Sequence, residues 1–159
     1  MADFRVLVTG SRDWRDWRAI FRALDDIHAD HPDLTVVHGD CPTGADKYAD
    51  DWAALQHAGI DPHPADWDAP CRAECKAGHR RPRRHGSIYC PAAGNYRNQE
   101  MVDTGPAVCL AFFQPGAANT GTSDCVRRAI AAGITVAPYG DVPRSIQRLP
   151  ATPARRFEP

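Results

Sequence analysis

Residues 4–10, Phe-Arg-Val-Leu-Val-Thr-Gly, form a short apolar run ending in glycine, the pattern of a strand buried on both faces. From residue 14 to 28 the period changes. Trp17, Ile20, Phe21, Leu24 and Ile27 recur at helical spacing, with Ser11 and Asp13 placed to cap this helix. Pro32 separates it from a second strand at 34–39. Thr43-Gly44-Ala45-Asp46 opens a second helix that runs to about His57 and is closed by Gly59. Residues 60–65 carry Pro62 and Pro64 and suit a short edge strand.

The rhythm breaks at about 67–94, where Cys, His, Arg, Gly and Pro replace aliphatic residues. A helical pattern resumes at 95–104, followed by the clearest buried strand at 107–113. Residues 116–122 read as a glycine loop, 123–132 as a helix ended by Gly133, and 134–137 as a last strand. The Pro-rich stretch after Tyr139 has no periodicity. Strands alternating with helices predict an α/β fold, a Rossmann-like parallel sheet with helices on both faces. Residues 1–140 form the expected single domain, with the insertion at about 67–94 and a tail at 141–159.

Composition narrows the function classes. The chain has 159 residues, 43% hydrophobic and 25% charged, with a formal net charge of −1. That balance excludes a wholly polycationic nucleic-acid coat but allows a local basic patch. No apolar run approaches the ~20 residues of a membrane helix. The first residues, Met-Ala-Asp-Phe-Arg, lack an apolar leader segment, so a cytoplasmic location without membrane partners is expected. In a reducing compartment the six cysteines point to metal binding or burial rather than disulfides.

In a parallel sheet ligands bind at the carboxyl ends of the strands, near the switch in strand order. Three loops lie at such ends: 9–12, 38–46 and 114–123. Each combines glycine with hydroxyl residues ahead of a helix. Glycine lets backbone amides approach a ligand, and a helix N-terminus favours phosphate. Candidate ligand contacts are Gly10, Ser11, Arg12, Gly39, Asp40, Gly116, Thr120, Gly121 and Thr122. No loop carries the Gly-Lys-Ser/Thr ending of a P-loop or the Gly-x-Gly-x-x-Gly dinucleotide spacing. Cys41 would act as a nucleophile only with a base such as His38 or His63 beside it. The four tryptophans read mainly as packing, with Trp14 and Trp67 near enough to strand ends to stack a base.

These motifs carry a resemblance. Val8-Thr9-Gly10-Ser11-Arg12-Asp13-Trp14, His38-Gly39-Asp40 through Gly44-Ala45-Asp46, Arg97-Asn98-Gln99-Glu100-Met101-Val102 and Gly121-Thr122 resemble the YspA/cpYpsA-related branch of the SLOG superfamily. That superfamily also holds the lonely-guy phosphoribohydrolases and DNA-processing protein A, and this branch is widespread in bacteria and their phages. The resemblance implies a Rossmann-like fold binding nucleotides or nucleotide-derived ligands. It adds Arg97 and Asn98 to the ligand contacts and leaves a homo-oligomer open. The phosphoribohydrolases carry Pro-Gly-Gly-x-Gly-Thr-x-x-Glu. Here Cys125 stands three residues after Thr122, and Asp124 is one residue early. The catalytic carboxylate is displaced or absent, with Asp124, Glu100, Asp40 or Asp46 as substitutes.

The insertion reads Cys71-x3-Cys75-x3-His79-x5-His85-x4-Cys90. Zinc takes four Cys or His ligands in a tetrahedron. Spacing of four predicts Cys71, Cys75 and His79 on one helical face, with Cys90 returning from a loop. A closed set of Cys71, Cys75, His79 and Cys90, with His85 as the alternative, implies a structural zinc that supplies folding energy to a segment with no core. Arg72, Lys76, Arg80, Arg81, Arg83 and Arg84 make the same segment basic. It would close over an anionic ligand as a lid, or touch nucleic acid through Arg80, Arg81, Arg83 and Arg84. Three functions compete: a nucleotide-binding or sensing module, a nucleotide N-glycosidic hydrolase, and a nucleic-acid-binding protein.

Overall fold

The computed structural model describes residues 3–150. Its first half runs β1 (Phe4–Gly10), α1 (Trp17–Asp30), β2 (Leu34–His38), α2 (Ala45–Gln56) and β3 (Gly59–Pro62). A small hairpin comes next, β4 (Arg81–Pro82) and β5 (Ile88–Tyr89). The second half holds α3 (Ala93–Asp103), β6 (Val108–Phe113), α4 (Thr120–Ala131), β7 (Thr135–Gly140) and α5 (Arg144–Gln147). The main sheet has the order β3-β2-β1-β6-β7, and every neighbouring pair is parallel. This is the α/β, Rossmann-like fold that the alternation predicts.

Strand alternation sorts the core into two layers. Val6, Val8, Val36, Leu110 and Phe112 face α1 and α2, where Ile20, Leu24, Ala49 and Trp52 close the packing. Leu7, Val37 and Cys109 face the other way, against Met101 and Val102 of α3 and Cys125 and Ala129 of α4. Both faces are covered, so the strands read as continuous apolar runs. Each fully buried large side chain contributes ~1.5–3 kcal/mol of hydrophobic stabilisation. Trp52 is fully buried, and its indole N–H donates to Asp25 at 2.8 Å.

Several boundaries differ from expectation for local reasons. Neither Ser11 nor Asp13 caps α1. Asp16 does, its carboxylate accepting from the Ala19 amide at 3.2 Å. His57, at φ 55°, closes α2, leaving Gly59 to begin β3. Helix α4 begins at Thr120, so Thr120, Gly121 and Thr122 are its first turn rather than part of a loop. The aperiodic stretch after Tyr139 includes the rest of β7 and α5, which buries Ile146 against Ala111, Phe113 and Val126.

The chain winds from β1 outward to β3, then crosses back to lay β6 beside β1 and β7 beyond it. The strand order therefore reverses between β1 and β6, and a crevice opens above their carboxyl ends. Gly10 stands at that point. A Cβ there would come within 2.5 Å of the Ala45 Cβ and 2.9 Å of the Phe112 Cβ, so only glycine lets β1 leave the sheet beneath α2.

Candidate ligand crevice and metal centre

The crevice at the switch point is a cavity of about 440 Å³. Of the expected contacts, Gly10, Ser11, Arg12, Arg97, Asn98, Thr120, Gly121 and Thr122 line it. Gly39, Asp40 and Gly116 do not. Gly39 serves it indirectly: the Arg97 guanidinium packs where a Gly39 side chain would stand, and Arg97 Nη1 donates to the Gly39 carbonyl. The same nitrogen donates to the His63 carbonyl at 3.3 Å, and Arg97 Nε to Asn98 Oδ1 at 3.3 Å. Two strand ends thus hold the guanidinium at the cavity wall.

Helix α4 aims its first turn at this space. Its first intrahelical hydrogen bond is Ser123 N–H to Asn119 O, at 2.9 Å. The amides of Thr120, Gly121 and Thr122 precede that bond and have no intrahelical acceptor. Asn119, the residue at the N-cap, supplies no side-chain cap. Its amide is engaged by the loop, accepting from Gln114 N at 3.1 Å and donating to Gln114 O at 2.9 Å and Ala117 O at 3.0 Å. The helix end therefore meets the cavity with bare N–H groups and its positive pole, which suits an anion.

The carboxylates fall differently from expectation. Asp124 is tied between α3 and α4, accepting from Asn98 Nδ2 at 3.0 Å and Arg128 Nε at 2.8 Å. Glu100 is exposed and pairs with Arg72 at 3.1 Å. Asp40 is exposed at φ 53°, its amide donating to His38 Nδ1 at 3.1 Å. None of the three lines the crevice. Asp46 does. It is only 7% exposed and accepts from the Cys41 amide at 3.2 Å. Burial pushes its carboxyl above the ordinary carboxylate range, against the opposing pull of the Arg97 charge. The signal in the sequence is the Asp after Gly44-Ala45, placed by the helix start inside the fold.

Cys41 also lines the cavity, but among the described residues no hydrogen bond joins its thiol to His38 or His63. His38 Nδ1 is occupied by the Asp40 amide, and His63 Nε2 lies 3.2 Å from Asp61. A base-activated thiol is not assembled here. Trp14 is buried against Phe112, whereas Trp67 lines the crevice.

The insertion brings Cys71, Cys75, His79 and Cys90 together, one ligand atom from each within 4.8 Å of the others. His85 lies outside the group. The expected helical face is not how this happens. Residues 71–79 form two successive tight turns, Cys75 N–H to Arg72 O at 3.0 Å and His79 N–H to Lys76 O at 3.3 Å, with Gly78 at φ 72°. Cys90 comes directly after β5 and is almost fully buried. The Sγ atoms of Cys75 and Cys90 are 3.8 Å apart, and Cys90 Sγ lies 3.5 Å from His79 Nε2. A zinc tetrahedron with the usual bond lengths has S···S edges of about 3.8 Å and S···N edges of about 3.5 Å. Cys71 Sγ, at 2.9 Å from His79 Nε2, would withdraw by about 0.6 Å to meet that edge. The Tyr96 hydroxyl donates to Cys75 Sγ at 2.8 Å. That bond pushes the Tyr96 hydroxyl up to about 12 and draws the Cys75 thiol below its ordinary value. The four residues can therefore hold a metal ion.

Three of the six basic residues of the insertion are engaged, Arg80 and Arg83 within it and Arg72 with α3. Arg80 donates to the carbonyls of Ala69 at 2.9 Å and Ile88 at 3.3 Å. Arg83 pairs with Asp68 at 3.1 Å, and Arg72 lies 4.2 Å over the Tyr96 ring. Arg81, Arg84 and Lys76 remain exposed. The insertion reaches the crevice through Trp67 and Pro91, and none of its arginines lines it.

Comparison with known proteins agrees with this architecture. The family model described as "YspA, cpYpsA-related SLOG family" matches residues 4–69, which carry β1, β2, the Gly10 turn and Asp46. The chain is 40% identical over 145 residues to the "Gene 61 protein" of Mycobacterium phage D29, covering 87% of this chain and 98% of that protein. The chain belongs to the YspA/cpYpsA-related SLOG family. In this SLOG chain the family match stops at the insertion, whereas the phage relationship spans most of both proteins. Among the described residues no helix is long and apolar enough to cross a membrane.

Proposed function

We propose that this SLOG protein is a binding or sensing module for a nucleotide or nucleotide-derived small molecule, held in the crevice between β1 and β6. The observation that carries this reading is the uncapped first turn of α4, open to a cavity that also receives Arg12 and Arg97. A phosphate set against the Thr120–Thr122 amides meets bare donors, a helix dipole and the positive charge of Arg12 and Arg97. Trp67 offers a ring to the base. Asp124, the carboxylate nearest the hydrolase position, is held by Asn98 and Arg128, which favours binding over turnover.

One observation favours a second reading, an N-glycosidic hydrolase. Asp46 is a buried carboxyl beside Arg97, and burial helps it keep its proton. Such a group can protonate a leaving base as water attacks the sugar carbon. Turnover of 5′-mononucleotides by the wild type, abolished in Asp46→Asn, selects this reading; binding without turnover selects the first.

We assign zinc to Cys71, Cys75, His79 and Cys90 as a structural ion. Bound there, the ion would cross-link the two tight turns to the segment that leads into α3. Native mass spectrometry against the denatured mass tests both halves at once. One zinc and a nucleotide-sized adduct is the expected result; a folded, metal-free protein contradicts the zinc assignment.

A further inference from the structure

A second cleft adjoins the crevice on the outer side of Trp67. It has a volume of about 640 Å³ and is lined by Arg12, Trp67, Arg83, Tyr89 and Pro91. Arg12, Trp67 and Pro91 border both spaces, so the two adjoin across the indole.

The lining is ordered as a ladder of cations and rings. Arg12 Cζ sits 5.9 Å from the Trp67 ring centre, and Arg83 Cζ sits 5.6 Å from that of Tyr89. Trp67 and Tyr89 meet edge to face, centroids 6.0 Å apart at 79°. Local structure fixes each rung. The Cys90 amide donates to the Trp67 carbonyl at 3.0 Å. Gly94 lets the indole approach α3, since a Cβ there would come within 3.1 Å of it. Tyr89 pairs with Arg81 across the hairpin, and the Arg83 amide donates to Ser87 O at 2.6 Å.

Rings at fixed spacing beside guanidinium groups take flat bases joined through phosphate. One nucleotide, with its phosphate on α4, occupies the inner crevice only. The outer cleft then has no role, although it continues the same lining. Arg12 stands where the two spaces meet, suited to a linking phosphate, and Tyr89 with Arg83 is placed for a second base.

We infer that the ligand is a dinucleotide, two nucleosides joined through phosphate, with the second base in the outer cleft against Tyr89. This deepens the crevice reading proposed above and rests on it. The discriminating experiment is calorimetric titration of the purified, metal-replete protein. The probes are the four 5′-mononucleotides and the matching 5′-phosphorylated homodinucleotides. Wild type, Tyr89→Ala, Tyr89→Phe and Arg83→Gln are compared, each checked for zinc content by native mass.

The expected result is a dinucleotide bound at least about tenfold tighter than its mononucleotide. Tyr89→Ala removes most of that advantage, costing the dinucleotide far more than the mononucleotide, and Tyr89→Phe, which keeps the ring against Trp67, restores it. Equal affinity for both probes in the wild type overturns the inference while leaving the crevice reading intact. So does a Tyr89→Ala loss that falls equally on both. A decanucleotide binding far tighter than the dinucleotide also overturns it, and makes a nucleic-acid strand the partner. No binding of either probe class overturns the crevice reading and this inference together.

Discussion

Asn98 holds Asp124 away from the crevice. The amide Nδ2 lies 3.0 Å from Asp124 Oδ2 and 3.2 Å from the Gly121 carbonyl, so one side chain of α3 fixes both the first turn of α4 and its carboxylate. Asn98 is 3% exposed. Asn98→Ala removes both bonds, one of them to a charged acceptor, and leaves Asp124 held by Arg128 alone. A loss of about 1–3 kcal/mol in denaturant unfolding is expected. Weaker nucleotide binding than in Asp124→Ala is expected too, because only Asn98 touches the α4 carbonyl. Unchanged stability in Asn98→Ala would show that the pairing does not organise the helix start.

Asp46 sets a pH dependence. Its carboxyl is raised in the folded protein above the unfolded value of 3.8, because burial penalises the charged form. Stability contributed by the protonated group is therefore full below about pH 3.8 and is lost as pH rises through the folded value. Asp46→Asn keeps an acceptor for the Cys41 amide without the charge. The variant should melt above wild type at pH 7, with the gap closing as pH falls toward 4. A variant less stable than wild type at every pH contradicts the assignment.

The metal centre should be separable from the sheet. Its four ligands lie in the insertion, while the sheet core is built from other residues. Chelation is expected to release one zinc and speed amide exchange across 67–92, with β1 and β6 amides still protected. Cys90→Ser should reproduce this without chelator. Simultaneous loss of protection in the sheet would show that the ion holds the whole fold.

The parts of this structure legible in the sequence are those where burial alone decides. Both β1 and β6 lie inside the sheet with apolar neighbours on either face, so their runs of Val, Leu and Phe stand out. The Cys/His set is legible from residue type, but its geometry is not. A repeat of four fits a helix turn and also two successive tight turns, and the left-handed Gly78 selects the latter. The start of α4 is hidden because Gly121 sits inside its first turn, where glycine normally signals a loop. Asp46 is marked by the Gly44-Ala45-Asp46 motif, but its burial beside Arg97 is not legible, because a carboxylate suggests surface and only the fold encloses it. Ile146, in a stretch rich in proline, gives no period, yet tertiary packing recruits it to the core.

In the proposed site the bare α4 terminus and Arg97 hold a ligand phosphate. This contact is tested most directly by calorimetric titration of 5′-mononucleotides, and of the corresponding nucleosides, into wild type and Arg97→Gln at two salt concentrations. Nucleotides should bind and nucleosides should not, with Arg97→Gln weakening the nucleotide about tenfold or more and flattening the salt dependence. Equal binding of nucleoside and nucleotide, or an Arg97→Gln variant with wild-type affinity, would contradict the phosphate site.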